Sequence, residues 1–345
     1  MRLAPLSLLL LPPCHALAAQ AWSAETSGTH AELRGLHAVN ARVVWAAGKG
    51  GTVVRSEDGG ESWSADSIPG AANLFLIAVH ALDARRAWVA GTAFEGASLA
   101  RIYHTEDGGT RWQLQYENAS RGVFLDGMAF WDARHGIAFG DPLEGKLLLL
   151  TTADGGEHWV PVAGDRLPAM LNGEAAFAAS GTAITLAGHS AVWIGTGGGA
   201  RARVLYSGER GKRWEVRETP ASGNAAKGIF GIARGRGGQL VAVGGDYRQP
   251  DASSENLLLS SDEGRHWTLA ASPGLSGVQY GVVSAGADRY VAVGPGGSAL
   301  SQDAGRSWTR LAGPGFNTVS CAKQRCWAAG VAGRISRLLL STSQR

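Results

Sequence analysis

Thr105-Glu106-Asp107-Gly108-Gly109-Thr110-Arg111-Trp112 is the stretch on which the fold turns, because the chain carries its pattern six times. The form [ST]-x-D-x-G-x-x-W returns at Ser56 (SEDGGESW), Thr152 (TADGGEHW), Ser207 (SGERGKRW), Ser260 (SSDEGRHW) and Ser301 (SQDAGRSW). Asp58, Asp107, Asp154, Asp262 and Asp303 hold the third position, and Glu209 replaces the acid in the fourth copy. Successive Trp residues lie 49, 47, 55, 53 and 41 residues apart, a period that marks a repeat architecture. The residue types describe a fastened turn. A hydroxyl and a carboxylate accept backbone N–H groups, Gly takes a positive φ, and the Trp ring packs beneath. Six equivalent turns of this kind are read as structural, not as metal or catalytic sites.

Each copy closes a longer unit. In the first, apolar runs at 33–39 and 43–48 flank the turn Asn40-Ala41-Arg42, and a third run at 52–55 leads into the box. Gly48, Gly91, Gly140, Gly195, Gly244, Gly294 and Gly330 close the second run of successive units, which makes seven units for six boxes. Four short strands per unit predict an all-β, seven-bladed β-propeller. The seventh unit shows three strands up to residue 340. Trp22-Ser23-Ala24-Glu25 echoes Trp63-Ser64-Ala65-Asp66 after the first box, so the N-terminal segment is expected to supply the missing outer strand and remove an open edge.

Composition agrees with an exported β-rich protein. The 345 residues include 50 Gly, and a net charge of +3 without a basic block excludes an electrostatic nucleic-acid binder. Met1-Arg2, the apolar run 3–11 and Ala19-Gln20-Ala21 have the layout of a cleaved leader over 1–21, followed by one propeller domain over 22–345. The expected location is periplasmic or secreted. Leu11-Pro12-Pro13 before Cys14 is a poor lipidation signal, and the apolar run is too short to span a bilayer. Cys321 and Cys326 remain as an even pair in a hairpin pattern, read as a disulfide.

The units AWVAGT…IYHTEDGGTRW and GIAFGDP…LLTTADGGEHW resemble Asp-box (BNR) propellers, and above all the photosystem II stability and assembly factor-like family. That resemblance implies the propeller fold and, from the plant and cyanobacterial members, an assembly chaperone that binds a protein. Sialidases share the box but need an Arg-Ile-Pro motif ahead of the first copy. Arg166-Leu167-Pro168, the nearest match here, lies between the third and fourth. No nucleotide-binding Gly fingerprint follows a strand and opens a helix.

Loop lengths locate the candidate site. Second-to-third-strand loops are short at 49–51, 295–297 and 331–333, and long at 92–99, 141–146, 196–203 and 245–256. Long loops often carry function, so the face of blades 2 to 5 opposite the boxes is expected to hold the site. Its binding groups are Arg203, Lys227, Asp246, Tyr247, Arg248 and Tyr280, with Asn317 at a comparable position. Asp126, Asp141, Glu174, Asp246 and Tyr247 are the groups available for acid–base or nucleophilic work. Asp141 and Asp246 also read as caps of Gly turns. Thr196-Gly197-Gly198-Gly199 lacks the strand–helix context of a phosphate cradle. The histidines have no metal spacing, and neither metal nor cofactor is expected. The leading expectation is an exported, monomeric, non-enzymatic propeller that binds a protein and inserts into no membrane. A carbohydrate-active hydrolase or lyase is the alternative, and a glycan-binding propeller the third reading.

Overall fold

In the computed structural model, which describes residues 20–93 and 98–341, twenty-eight strands form seven antiparallel four-stranded sheets arranged as the blades of a propeller. Blade 1 runs outward in chain order through Leu33–Ala38, Val44–Gly48, Thr52–Ser56 and Ser64–Ser67, within a residue of the expected runs. The inner strands of blades 2 to 7 are Leu74–Ala81, Leu125–Phe130, Ile184–Ala187, Lys227–Arg234, Gly281–Ser284 and Thr318–Ala322. The core lies between blades. Ile77, Trp88 and Ile102 of blade 2, for example, are buried against Leu125, Phe130 and Trp159 of blade 3.

Ser23–Glu25 is the outer strand of blade 7, pairing Ser23 with Arg337 and Glu25 with Ile335. The echo between the N-terminal segment and the strand after the first box therefore marks a real structural equivalence. Trp22 secures this closure by donating from Nε1 to Ser298 Oγ at 2.7 Å and packing its ring 5.1 Å from Phe316. Glu25 accepts from Trp63 Nε1 at 2.9 Å and pairs with Arg337 at 3.0 Å, which ties blade 7 to blade 1. Most of the leader reading, residues 1–19, lies outside the described residues. Cys321 and Cys326 face each other across the first hairpin of blade 7 and are disulfide-bonded.

The boxes are the turns between third and outer strands. In five of them the Asp Oδ1 accepts the hydroxyl two residues before it and the backbone N–H four residues after it, all at 2.8–3.1 Å. In all six the Ser or Thr oxygen accepts the amide of the box Gly at 2.8–3.0 Å. These bonds favour the ionised acid, and they hold the Asp154 carboxyl down at about 2. The carboxylate's contribution to box stability is accordingly complete above pH ~4, the unfolded carboxyl value, and is lost as pH falls from there through the folded value of about 2. Glu209 is different. Its longer side chain caps no amide and reaches only toward Arg213, at 4.0 Å, so the fourth box keeps its hydroxyl bonds alone.

The repeating glycine ends the second strand in blades 1, 4 and 6, lies inside it in blades 2, 3 and 5 and just past it in blade 7, and in five blades a close approach requires it. A Cβ at Gly48, Gly91, Gly140, Gly244 or Gly294 would lie 1.8–2.6 Å from the carbonyl oxygen of Glu32, Phe75, Phe124, Gly228 or Val278. In blades 1, 2, 3 and 5 the inner strand carries a β-bulge beside that contact, between Leu33/Gly35, Leu76/Ala78, Leu125/Gly127 and Ile229/Gly231. The unpaired residues are Arg34, Ile77, Asp126 and Phe230. Bulges re-aim side chains, and these four lie at the inner rim of the ring.

Two outcomes test this reading of the fold. Glu209→Asp supplies the missing cap to the Arg213 amide and should raise unfolding free energy by about 1 kcal/mol in urea titration; no gain would contradict the cap geometry. Trp22→Ala should lower it by about 2 kcal/mol, since the ring is only half buried; an unmoved midpoint would mean that Trp22 does not secure the closure.

Candidate functional site

The central channel is not open. Blade 4 has a four-residue inner strand, and the chain before it crosses the channel as Ala178-Ala179-Ser180-Gly181-Thr182. Small side chains allow that passage: a Cβ on Gly181 would already stand 3.2 Å from Ile77 O of blade 2. Blades across the ring hold the strap. Arg34 Nη1 of blade 1 donates to Ala178 O at 3.0 Å, and Thr318 Oγ1 of blade 7 donates to Ser180 O at 2.9 Å. Ile232 N of blade 5 donates to Thr182 O at 2.9 Å.

Two cavities result. Below the strap, toward the boxes, lies one of about 250 Å³ that includes His37 and His80, stacked at 4.5 Å. Burial keeps both imidazoles neutral, His37 down to about 4. Each Nδ1 accepts an amide of the next blade, Ala81 N and Phe130 N, so the pair serves as inter-blade bracing. Above the strap, on the loop face, lies a cavity of about 460 Å³ with a more apolar lining. Arg34, Asp126 and Phe230 reach it from bulges, Tyr280 from the entry to blade 6, Tyr247 from the long loop of blade 5, and Phe177 from the position just ahead of the strap.

Four aromatic rings form one side. Phe177 and Phe230 lie 4.6 Å apart between centroids, and Phe230 lies 6.5 Å from Tyr247 and 6.4 Å from Tyr280. Two carboxyls form another. Asp126 is 1% exposed and its Oδ2 has no hydrogen-bond partner. Burial, reinforced by Asp141, pushes its carboxyl well above the usual range, while the Asp141 backbone amide donates toward it. Asp141 accepts Ala176 N at 3.2 Å and is also raised by burial. Arg34 is already engaged: its Nε donates to Glu32 at 3.0 Å and its guanidinium lies over Phe75. The site can hold a proton on a carboxyl, accept a polar donor, and bury apolar surface.

Of the sequence-proposed residues, Asp126, Asp141, Tyr247 and Tyr280 meet at this cavity. The others do not line it. Glu174 and Arg203 are a buried ion pair in which Glu174 also accepts Thr196 Oγ1 and Leu171 N, bracing the chain that leads to the strap. Asp246 accepts Asn224 Nδ2 and Arg248 N and shapes its own turn. Lys227 pairs with Glu255, Arg248 lies over Tyr247, and Asn317 donates to Glu32 and Leu33 O. Part of the blade 2 loop, residues 94–97, lies outside the described residues. Arg34, Phe177 and Phe230 were not anticipated. A constant offset finds two of them: fourteen residues ahead of Gly48, Gly91, Gly140, Gly244 and Gly294 stand Arg34, Ile77, Asp126, Phe230 and Tyr280. Counting to Lys227 in blade 5 overshoots that position by three.

On the box face, Asp154, Glu157 and His158 place three potential ligand atoms within 4.8 Å of one another. Asp154 already braces His158 at 2.7 Å, and Asp262 braces His266 in the same way, so this cluster belongs to the turns.

No protein-family model and no curated protein matches the sequence. Solved propellers match the fold. A structure of YCF48 bound to a D1 peptide superposes with TM-score 0.68 at 14% identity, covering 94% of this chain and 100% of that one. YCF48 from Cyanidioschyzon merolae gives 0.67 at 15%, covering 92% and 99%. The WD40 propeller domain of Doa1 gives 0.65 at 11%, covering 95% and 99%. At these identities the likeness is one of fold.

The raised Asp126 carboxyl fixes the sign of a stability effect. The unfolded chain ionises near pH 3.9, so folded stability is full below that value and falls as pH rises through the higher folded value. Asp126→Asn removes this penalty. The variant should be more stable than the parent by at least about 1 kcal/mol at pH 7, with the difference shrinking toward pH 4 in thermal melts; equal stability at pH 7 would show that Asp126 ionises normally.

Proposed function

We propose that this protein is an exported, non-enzymatic propeller that binds a segment of a protein partner on its loop face, in an assembly or stability role. The observation that carries the reading is the cavity above the strap: concave, aromatic, closed beneath, and provided with a few convergent polar groups. Tyr247, 44% exposed at its edge, is an amphipathic contact of the kind enriched in binding surfaces. The fold likeness to YCF48, which has been solved with a D1 peptide, and the resemblance of the repeats to assembly factor-like propellers support a peptide as the ligand. The leader pattern and the Cys321–Cys326 disulfide support export.

The carboxyl arrangement does not favour a glycosidase. Hydrolysis needs two carboxyls flanking the scissile bond. Asp126 and Asp141 instead stand side by side on neighbouring strands of blade 3, close enough for the backbone amide of one to serve the other.

Selection of peptides from a random library on the immobilised protein tests the proposal. Selected peptides should lose at least tenfold in affinity on Tyr247→Ala or Phe177→Ala, with melting temperature little changed by Tyr247→Ala. Peptides that ignore both substitutions and respond to changes on the box face would refute the assigned site. Selective capture of glycans with no peptide binding would favour the lectin reading.

A further inference from the structure

We infer that the loop-face cavity is built to receive an alkylammonium group, the side chain of a lysine carried by the bound segment; this rests on the peptide-binding reading. Two buried acids contrast in how their charge and lone pairs are met. Glu174, 3% exposed, has its charge met by Arg203 and its lone pairs by Thr196 and Leu171 N. Asp126, 1% exposed, lines the cavity without an ion-pair partner among the described residues, and its Oδ2, sealed from solvent, has no hydrogen-bond partner. Buried polar atoms are nearly always satisfied, so an orphan at a cavity wall points to a group that arrives from outside.

The surroundings select a cation. A second carboxyl, Asp141, stands beside the first, and the pair disfavours any anion. The positive side chain lining the cavity, Arg34, is paired with Glu32 and donates to the strap carbonyl of Ala178, and Arg248 lies over the Tyr247 ring. The rings of Phe177, Phe230 and Tyr280 on the cavity lining suit both the methylenes and the head group of a lysine, since aromatic rings attract cations electrostatically. An ammonium entering here becomes the missing partner of the Asp126 carboxyl. A cavity of about 460 Å³ holds such a side chain with its backbone at the rim.

The test uses the intact protein with hexylammonium and 1-hexanol as probes at pH 7, by titration calorimetry or ligand-observed NMR. Hexylammonium should bind at least tenfold more tightly than the alcohol. Asp126→Asn combined with Asp141→Asn should reduce that preference to twofold or less while leaving the alcohol unchanged, with thermal melts confirming that the variant folds. Equal binding of the two probes by the parent, or a preference that survives the double substitution, overturns the inference. A peptide arm separates it from the reading on which it rests: Lys→norleucine in a selected peptide should cost at least tenfold with the parent protein and little with the double variant. Tight peptides that tolerate norleucine overturn the lysine inference and leave the peptide site standing. Hexylammonium preference with no peptide selected keeps the cation pocket and overturns its assignment to a peptide.

Discussion

The absence of a side chain at the repeating glycine of the second strand is the constraint on which this molecule depends. In five blades a carbonyl of the chain entering the inner strand occupies the space that a Cβ would fill. Only glycine admits that approach, and the approach goes with a bulge in four inner strands. Each bulge turns one residue out of the ladder. Arg34, Asp126 and Phe230, turned out of three of them, meet at the loop-face cavity, whereas Ile77 of the fourth stays in the core between blades 2 and 3.

Blade 4 departs from the repeat and thereby completes the site. Its inner strand is short, and the segment before it fills the channel with alanine, serine, glycine and threonine side chains small enough to pass between six other blades. The strap gives the cavity a floor, and Phe177 just ahead of it gives one of the aromatic walls. It also explains the buried Glu174–Arg203 pair: an ion pair so enclosed contributes little net stability against hydrophobic packing, but it fixes the path of an otherwise irregular segment. The same pair looks like catalytic chemistry when it is read as residue types alone.

How much of this was legible follows from what repeats. The boxes, the glycines and the N-terminal echo are periodic, so blade number, strand boundaries and ring closure could be read directly. Asp126, Asp141, Tyr247 and Tyr280 were legible because loop length and mouth position pointed to them. Arg34 and Phe230 occupy the same offset from their glycines as Asp126, but the bulge behind that offset is a backbone event with no residue signature of its own. Phe177 and the strap were hidden for the opposite reason, since the chain ahead of residue 184 follows no repeat. Glu209 shows the limit of motif matching: the pattern is kept while one extra methylene removes the hydrogen bond that gives the motif its purpose.

The central claim is that Asp126 brings to the loop-face cavity a carboxyl raised by burial, with one oxygen unpartnered, and carbon-13 NMR of carboxyl-labelled aspartate tests it most directly. Five box aspartates are held low by the side-chain and backbone hydrogen bonds of their turns, so they shift in the opposite direction from Asp126. The account predicts that the Asp126 resonance, assigned by its loss in Asp126→Asn, keeps its protonated shift well above the ordinary carboxyl range and moves to the ionised shift when hexylammonium is added. An Asp126 carboxyl that titrates near pH 4 and ignores the amine would contradict it.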